Sequence, residues 1–250
     1  MRQKNHKRKG RQKVREMKLT VYHVTSTIFL SSIRNNGLIN IDLRRVFPEF
    51  CKAMTEMISL LDCKYGASEI AWGEPIGFRG NCQRMANINY KNQSKMDYEY
   101  GSVYVTSSKT KLAIYNTYEF GSELLTYFFR LYRCLYQKHK DETKNKFDSM
   151  YPELVNIINI NNKKNLVLKV EVDTSDLLSD TGSQLKEEDI EFIQFMQKEC
   201  DGDVQRSFRM ARVLRPDEIE ILTLDNNVFT SYGKLSEYKI PVDWQQINVF

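Results

Sequence analysis

Residues 19–38 read Leu-Thr-Val-Tyr-His-Val-Thr-Ser-Thr-Ile-Phe-Leu-Ser-Ser-Ile-Arg-Asn-Asn-Gly-Leu. The stretch from Leu19 to His23 alternates and is rich in β-formers, so it predicts a strand. Thr25 to Thr27 then offer an N-cap, and Phe29, Leu30 and Ile33 recur at helical spacing. Gly37 stands where a helix C-terminus favours a glycine. A strand, a short helix and a turn are thus expected within twenty residues, with His23 at the end of the strand.

Working outward, residues 42–64 carry Phe47, Phe50, Met54 and Ile58 at helical spacing, with Pro48 marking an early helix position or a kink. Residues 65–100 show little periodicity and read as a loop or insertion. Gly101 to Thr106 predicts a second strand, and Ser108 to Tyr118 a helix. Ser122 is expected to cap a longer helix running to about His139, whose apolar face is Leu124, Leu125, Phe128, Leu131, Tyr132 and Leu135. Residues 143–164 are polar, with a short helical piece over Glu153 to Ile160. Leu166 to Val172 predicts a strand, and Ser183 to Cys200 a helix. Phe208 to Val213 and Glu218 to Leu224 read as late strands, and Tyr238 onward as a further strand or an extended tail. This order, with helices between early strands and strands clustered late, is that of an α+β protein.

The bulk properties bound the function. The 250 residues are 41% apolar and 28% charged, enough for one domain with a sizeable core. No apolar run approaches the ~18 residues a membrane helix needs, so no membrane partner is expected. A basic N-terminus without an apolar stretch is no secretory signal, and the cytoplasm, of the producing or a receiving cell, is the expected compartment. The net charge is +5, yet residues 1–15 hold eight Lys or Arg and no acid, leaving the remainder at −3. The chain therefore divides into a disordered basic tail, 1–16, and a single domain, 17–250. The sequence leaves two readings of the tail open: a solvated segment, or a weak nucleic-acid contact through counterion release. Five cysteines at 51, 63, 82, 134 and 200 form no CxxC pair, and the only histidines are at 6, 23 and 139. Neither a disulfide framework nor a metal site is expected.

The segment from Val21 to Leu38, a strand ending in His23-Val24-Thr25-Ser26 and closing on Ile33 to Leu38, resembles the first motif of the ADP-ribosyltransferase superfamily of the histidine–tyrosine–glutamate type. The bacterial DNA-modifying toxins share that outline. Residues 101–115, Gly-Ser-Val-Tyr-Val-Thr-Ser-Ser-Lys-Thr-Lys-Leu-Ala-Ile-Tyr, resemble the second motif of the polymerase branch. There Tyr104 matches the strand tyrosine, Lys109-Thr110 the Lys-Ser pair, and Tyr115 the helix tyrosine, displaced by two residues. The resemblance implies split antiparallel sheets flanked by helices, with NAD as substrate in the cleft between them and no metal. It implies that Tyr104 and Tyr115 sandwich the cationic nicotinamide ring, a role suited to aromatic faces. Val24 would meet the carboxamide through its backbone, with the Thr110 hydroxyl beside it. His23 would bond a ribose hydroxyl, and Thr25 or Ser26 would support the adenosine side.

The third motif departs from the family. Residues 203–219 close on Arg215-Pro216-Asp217-Glu218-Ile219 much as the family does, but no glutamate opens the strand. By register its position falls at Ser207, with Gln205 one alternation away on the same face. The resemblance therefore implies transfer of a single ADP-ribose unit from NAD to a macromolecular acceptor, protein or nucleic acid, in the manner of a toxin, effector or defence protein. Three alternatives stand beside it: a catalytically inactive NAD-binding or interaction module, an RNA 2′-phosphotransferase-like enzyme, and a basic nucleic-acid binder unrelated to NAD.

Overall fold

The computed structural model describes residues 17–88, 102–108, 112, 121–139, 142–159, 164–199, 204, 206–225 and 228–234. The basic tail and the segment beyond residue 234 lie outside them.

The leading strand, β1, runs over Lys18–Ser26. Its odd residues Leu19 and Val21 enter one core, while Tyr22 packs on the opposite face with Leu112, Val167 and Leu222. This is the two-sided alternation of a central strand. A turn of 3-10 helix, Thr27–Phe29, leads into α1, Leu30–Asn36. Ser26 caps the turn through its hydroxyl, which accepts from the Ile28 N–H at 3.4 Å. Gly37 ends α1 at φ +76, and a side-chain carbon there would lie 1.9 Å from the Leu214 carbonyl oxygen. Only glycine satisfies both conditions.

The remaining strands are β2 (Tyr104–Thr106), β3 (Asn165–Asp173), β4 (Leu177–Ser179), β5 (Ser207–Met210), β6 (Ile219–Asp225) and β7 (Val228–Lys234). They form one sheet in the order β4-β5-β2-β1-β3-β6-β7, and every neighbouring pair is antiparallel. The expectation of two separate sheets is therefore corrected to one sheet with a weak seam. β1 and β3 share nine registered pairs. β1 and β2 share one, Tyr22 with Thr106. Two side chains reinforce that seam. Gln197 donates through Nε2 to the Thr20 carbonyl at 2.9 Å and the Ser107 carbonyl at 3.4 Å, and His23 reaches across further along.

Gln197 belongs to α9, Glu187–Glu199, which buries Ile190 and Ile193 against the sheet. Ser183 does not begin this helix. It closes a turn instead, its N–H donating to the Ser179 hydroxyl at 3.0 Å.

A second core lies among α3 (Glu49–Tyr65), α5 (Phe78–Ala86), α6 (Glu123–Lys138), α7 (Glu142–Met150) and α8 (Pro152–Ile158). Along α3 the buried residues Phe50, Met54, Met57, Ile58 and Leu61 form one stripe. All six apolar positions expected on α6 are buried, and Phe50 meets Phe128 edge-on at 5.0 Å. Each such large side chain contributes roughly 1.5–3 kcal/mol on full burial. Residues 65–86 are not a loop: α4 (Glu69–Trp72) and α5 carry Trp72, Phe78, Cys82 and Met85 into this core. Burial there comes from single large residues on short helices, which leave no long periodic signal. The polar stretch after residue 142 likewise contains α7, anchored by Phe147.

The two cores meet where Gly121 lies against the end of β1. At φ +62, a side-chain carbon on Gly121 would stand 2.2 Å from the Ser26 nitrogen and 2.6 Å from the Thr25 Cα. Gly121→Ala should therefore destabilise the fold by at least about 2 kcal/mol, through strain and steric overlap together. Urea unfolding of the variant checks this, and a loss below 0.5 kcal/mol would contradict the close approach (about the level of a neutral surface change).

Candidate functional site

A cleft of about 590 Å³ opens along the weak seam between β1 and β2. That size suits a small-molecule or cofactor site. Its lining includes His23 and Thr25 from β1, Ser102 to Thr106 through β2, and Ser207 at the start of β5. Phe29 and Ile33 line it from the first helical turns, Gly37 to Ile39 and Ile41 to Leu43 from the following segment, and Gly121 to Leu124 from the start of α6.

His23 is the pivot. Its Nδ1 lies 2.8 Å from the Tyr104 carbonyl oxygen, across 81 positions of sequence. A carbonyl only accepts, so Nδ1 carries the proton and donates. Burial lowers the His23 pKa below the ordinary 6.5, against the opposing pull of that bond. The ring is neutral near pH 7, with Nε2 left as an acceptor, a state suited to receiving a hydroxyl proton from a ligand.

Strand alternation places the side chains around the seam. His23 lies on the face of Leu19 and Val21, where Val103 and Val105 also lie. Tyr104 and Thr106 fall on the other face with Tyr22, because Tyr22 and Thr106 are in register. Ser207 joins that second face through its pairing with Thr106. His23 and Tyr104 thus flank the parting from opposite faces, joined by ring-to-backbone contact and not by two side chains on one wall.

Of the other expected site residues, Val24 and Thr25 line the cleft. Ser26 does not: it is fully buried, and its hydroxyl caps the turn beneath. Lys109, Thr110, Tyr115 and Gln205 lie outside the described residues.

Several groups that the sequence reading passed over shape the cleft. Asn40 accepts from the Val103 N–H at 2.9 Å and fixes the approach to β2. Asp42 caps α2 (Leu43–Val46) and takes Nε and an Nη of the buried Arg44 at 2.9 and 2.8 Å. Burial opposes ionisation of Asp42, but the Arg44 bonds outweigh it and hold the carboxyl below its ordinary value. Glu123 opens α6 and lines the cleft from the far side. The residue is exposed as a whole, yet enough protein surrounds its carboxyl that lost hydration raises its pKa, against the charge of Arg84. Only contact with β1 through Gly121 brings Glu123 here, and sequence spacing carries no trace of that.

Other reactive groups are committed elsewhere. Arg212 bonds Asp176 at 2.7 Å and Glu218 at 2.9 Å, bracing the turn after β5. Arg206 pairs with Asp189 at 2.9 Å. Cys82 and Cys134 are buried beside Glu74, which contacts Arg130. Burial and the nearby negative charge hold both thiols well above their ordinary value, Cys134 at about 12, so neither is a nucleophile. Among the described residues, no group of three His, Cys, Asp or Glu is placed to hold a metal ion.

Comparison with known proteins gives no match, whether to protein-family models, to curated proteins or to solved structures.

Because the folded His23 pKa is depressed, folding excludes a proton that the unfolded chain accepts. Its stabilising contribution is complete above pH 6.5 and declines as the pH falls from there toward the folded value. His139 is shifted in the same direction. His23→Asn keeps a donor near the Nδ1 position and should make urea stability less dependent on pH between 6.5 and 5. An unchanged slope would show that His23 is not the buried neutral group described.

Proposed function

We propose that this chain is an NAD-dependent mono-ADP-ribosyltransferase, acting on a macromolecular acceptor, protein or nucleic acid. The observation that carries the reading is the His23–Tyr104 hydrogen bond. The His23 ring and the Tyr104 main-chain carbonyl, 81 positions apart, meet at 2.8 Å, and both residues line one cleft. The cleft volume of about 590 Å³ lies in the range of cofactor sites, which supports the reading.

The chemistry follows from those groups. Nε2 of His23 accepts a hydroxyl of the nicotinamide ribose and fixes its pose. The Thr25 hydroxyl and the Val24 backbone are at hand for the polar edges of the ligand. Tyr104, with Tyr115 from the following segment, offers aromatic faces to the cationic ring. Thr110 and Lys109 belong to the same set through the resemblance. Cleavage of the N-glycosidic bond is then driven by orientation and by stabilisation of an oxocarbenium-like transition state. Ser207 stands where the resemblance places the glutamate of chain-elongating enzymes, so the reading assigns transfer of one unit. NAD is a substrate here, and the cytoplasm, where NAD is supplied, is the proposed place of action. No described helix is long and apolar enough to cross a membrane.

The test is incubation of the full chain with labelled NAD, alone and with cell lysate. Nicotinamide release with label on a macromolecule is expected, and nuclease or protease treatment then names the acceptor class. His23→Asn and Tyr115→Ala should each lower turnover by at least about 100-fold, the scale of losing correct ligand placement. Removal of residues 1–15 should leave nicotinamide release unchanged. NAD binding without release would identify a non-catalytic NAD-binding module, and no binding would overturn the reading.

A further inference from the structure

We infer that Glu123, delivered to the cleft by α6, accepts the proton of the attacking acceptor group in ADP-ribosyl transfer. The inference rests on the transferase reading above. It assigns to a residue outside all three motif regions the carboxylate that the opening of β5 lacks.

Transfer to an O–H or N–H nucleophile releases a proton, and a positioned base speeds that step by roughly 100- to 10,000-fold. Among the described residues, the cleft lining contains two carboxylates, Asp42 and Glu123. Asp42 is bonded to Arg44 through both oxygens and is held strongly ionised. It is a poor proton acceptor. His23 has spent Nδ1 on Tyr104, and its depressed pKa makes Nε2 a weak base suited to receiving a hydrogen bond. Ser207, facing the cleft from β5, is no base at neutral pH. Glu123 is left.

Its placement is a built feature. Gly121 touches β1 so closely that its Cα lies about one side-chain bond beyond the 2.6 Å contact with the Thr25 Cα. Glu123 follows two residues later, so its Cα stands within about 12 Å of the Thr25 Cα, given 3.8 Å per residue. From there Glu123 lines the cleft. The charged and titratable groups around it are Arg84 of α5, Tyr127 one turn along α6, and His23 and Asp42 across the cleft. Arg84 has its Nε buried without a hydrogen-bond partner. Lost hydration raises the Glu123 pKa above its ordinary value, against the charge of Arg84, which makes the carboxylate a better proton acceptor than Asp42.

The step balances as follows. The bond from ribose C1″ to the nicotinamide nitrogen breaks, and its electron pair leaves with nicotinamide, which departs neutral. The acceptor oxygen or nitrogen bonds to C1″, and its proton passes to the Glu123 carboxylate and then to water.

The experiment compares the full-length wild type, Glu123→Gln and Glu123→Ala for NAD affinity and for ADP-ribosyl transfer to lysate acceptors across pH 5–9. The expected result is NAD affinity within about twofold of wild type, and transfer lowered at least about 100-fold in both variants. Added formate should partly restore Glu123→Ala. The wild-type rate should fall as acid titrates a carboxylate, a limb missing from Glu123→Gln. If Glu123→Gln does not fold, Glu123→Asp takes its place, with reduced transfer at retained affinity expected. An active wild type whose Gln or Asp variant transfers at the wild-type rate overturns this assignment alone. Parallel loss of affinity and transfer also overturns it, because the residue would then serve binding. A wild type that neither cleaves nor transfers NAD overturns both this assignment and the transferase reading.

Discussion

The hydrogen bond from His23 to the Tyr104 carbonyl is the constraint on which the site depends. β1 and β2 are neighbours in one sheet, yet they share a single registered pair. Past Tyr22 the imidazole donates to a β2 carbonyl where a backbone N–H would ordinarily do so. A ring reaches further than a main-chain amide, so the strands separate there, and the parting becomes a cleft. The same bond fixes the histidine tautomer, leaving Nε2 as an acceptor. One interaction thus opens the sheet, retains its edge and prepares the polar group inside the opening.

An open seam would be weak without support, and the surrounding elements supply it. Gln197 of α9 crosses from Thr20 to Ser107. Thr27 accepts from the Lys164 N–H at 2.9 Å and ties the end of β1 to the start of β3. The helical core presses α6 onto the same end of β1 through Gly121, where no side chain fits. The sheet core and the helical core therefore meet at the cleft mouth, and residues of both line it. That placement gives a rigid frame to a site whose polar groups come from distant parts of the chain.

Local signals were legible where they were periodic or chemically distinctive. The strand and helix of residues 18–36, the terminating Gly37, the apolar face of α6 and the strand at 165–173 follow from spacing and turn chemistry. His23 stood out because histidine is scarce, although the strand expected to end there continues to Ser26. The helices α4 and α5 were not legible: α4 is a single turn anchored by Trp72, and α5 buries Phe78, Cys82, Met85 and Ala86 at helical spacing over little more than two turns. Ser183 looked like a helix cap because serine serves turns and caps alike. The polar run after residue 142 hid α7, whose core anchor is Phe147.

The sequence ended the first strand at His23, whereas β1 runs on through Ser26, paired with β3. By itself it determined the alternation of β1, which of its residues are buried, and the α+β order. Those depend on neighbours within a few positions, where backbone geometry alone relates one side chain to the next. Only the tertiary structure decided that the sheet is continuous, that β1 and β2 part at His23, and that Tyr104 approaches from the opposite face. Only it brought Asp42 and Glu123 into the cleft and took Ser26 out of it. Each of these outcomes is set by contacts between segments distant in sequence, through close packing such as that of Gly121 on β1, which no local pattern records.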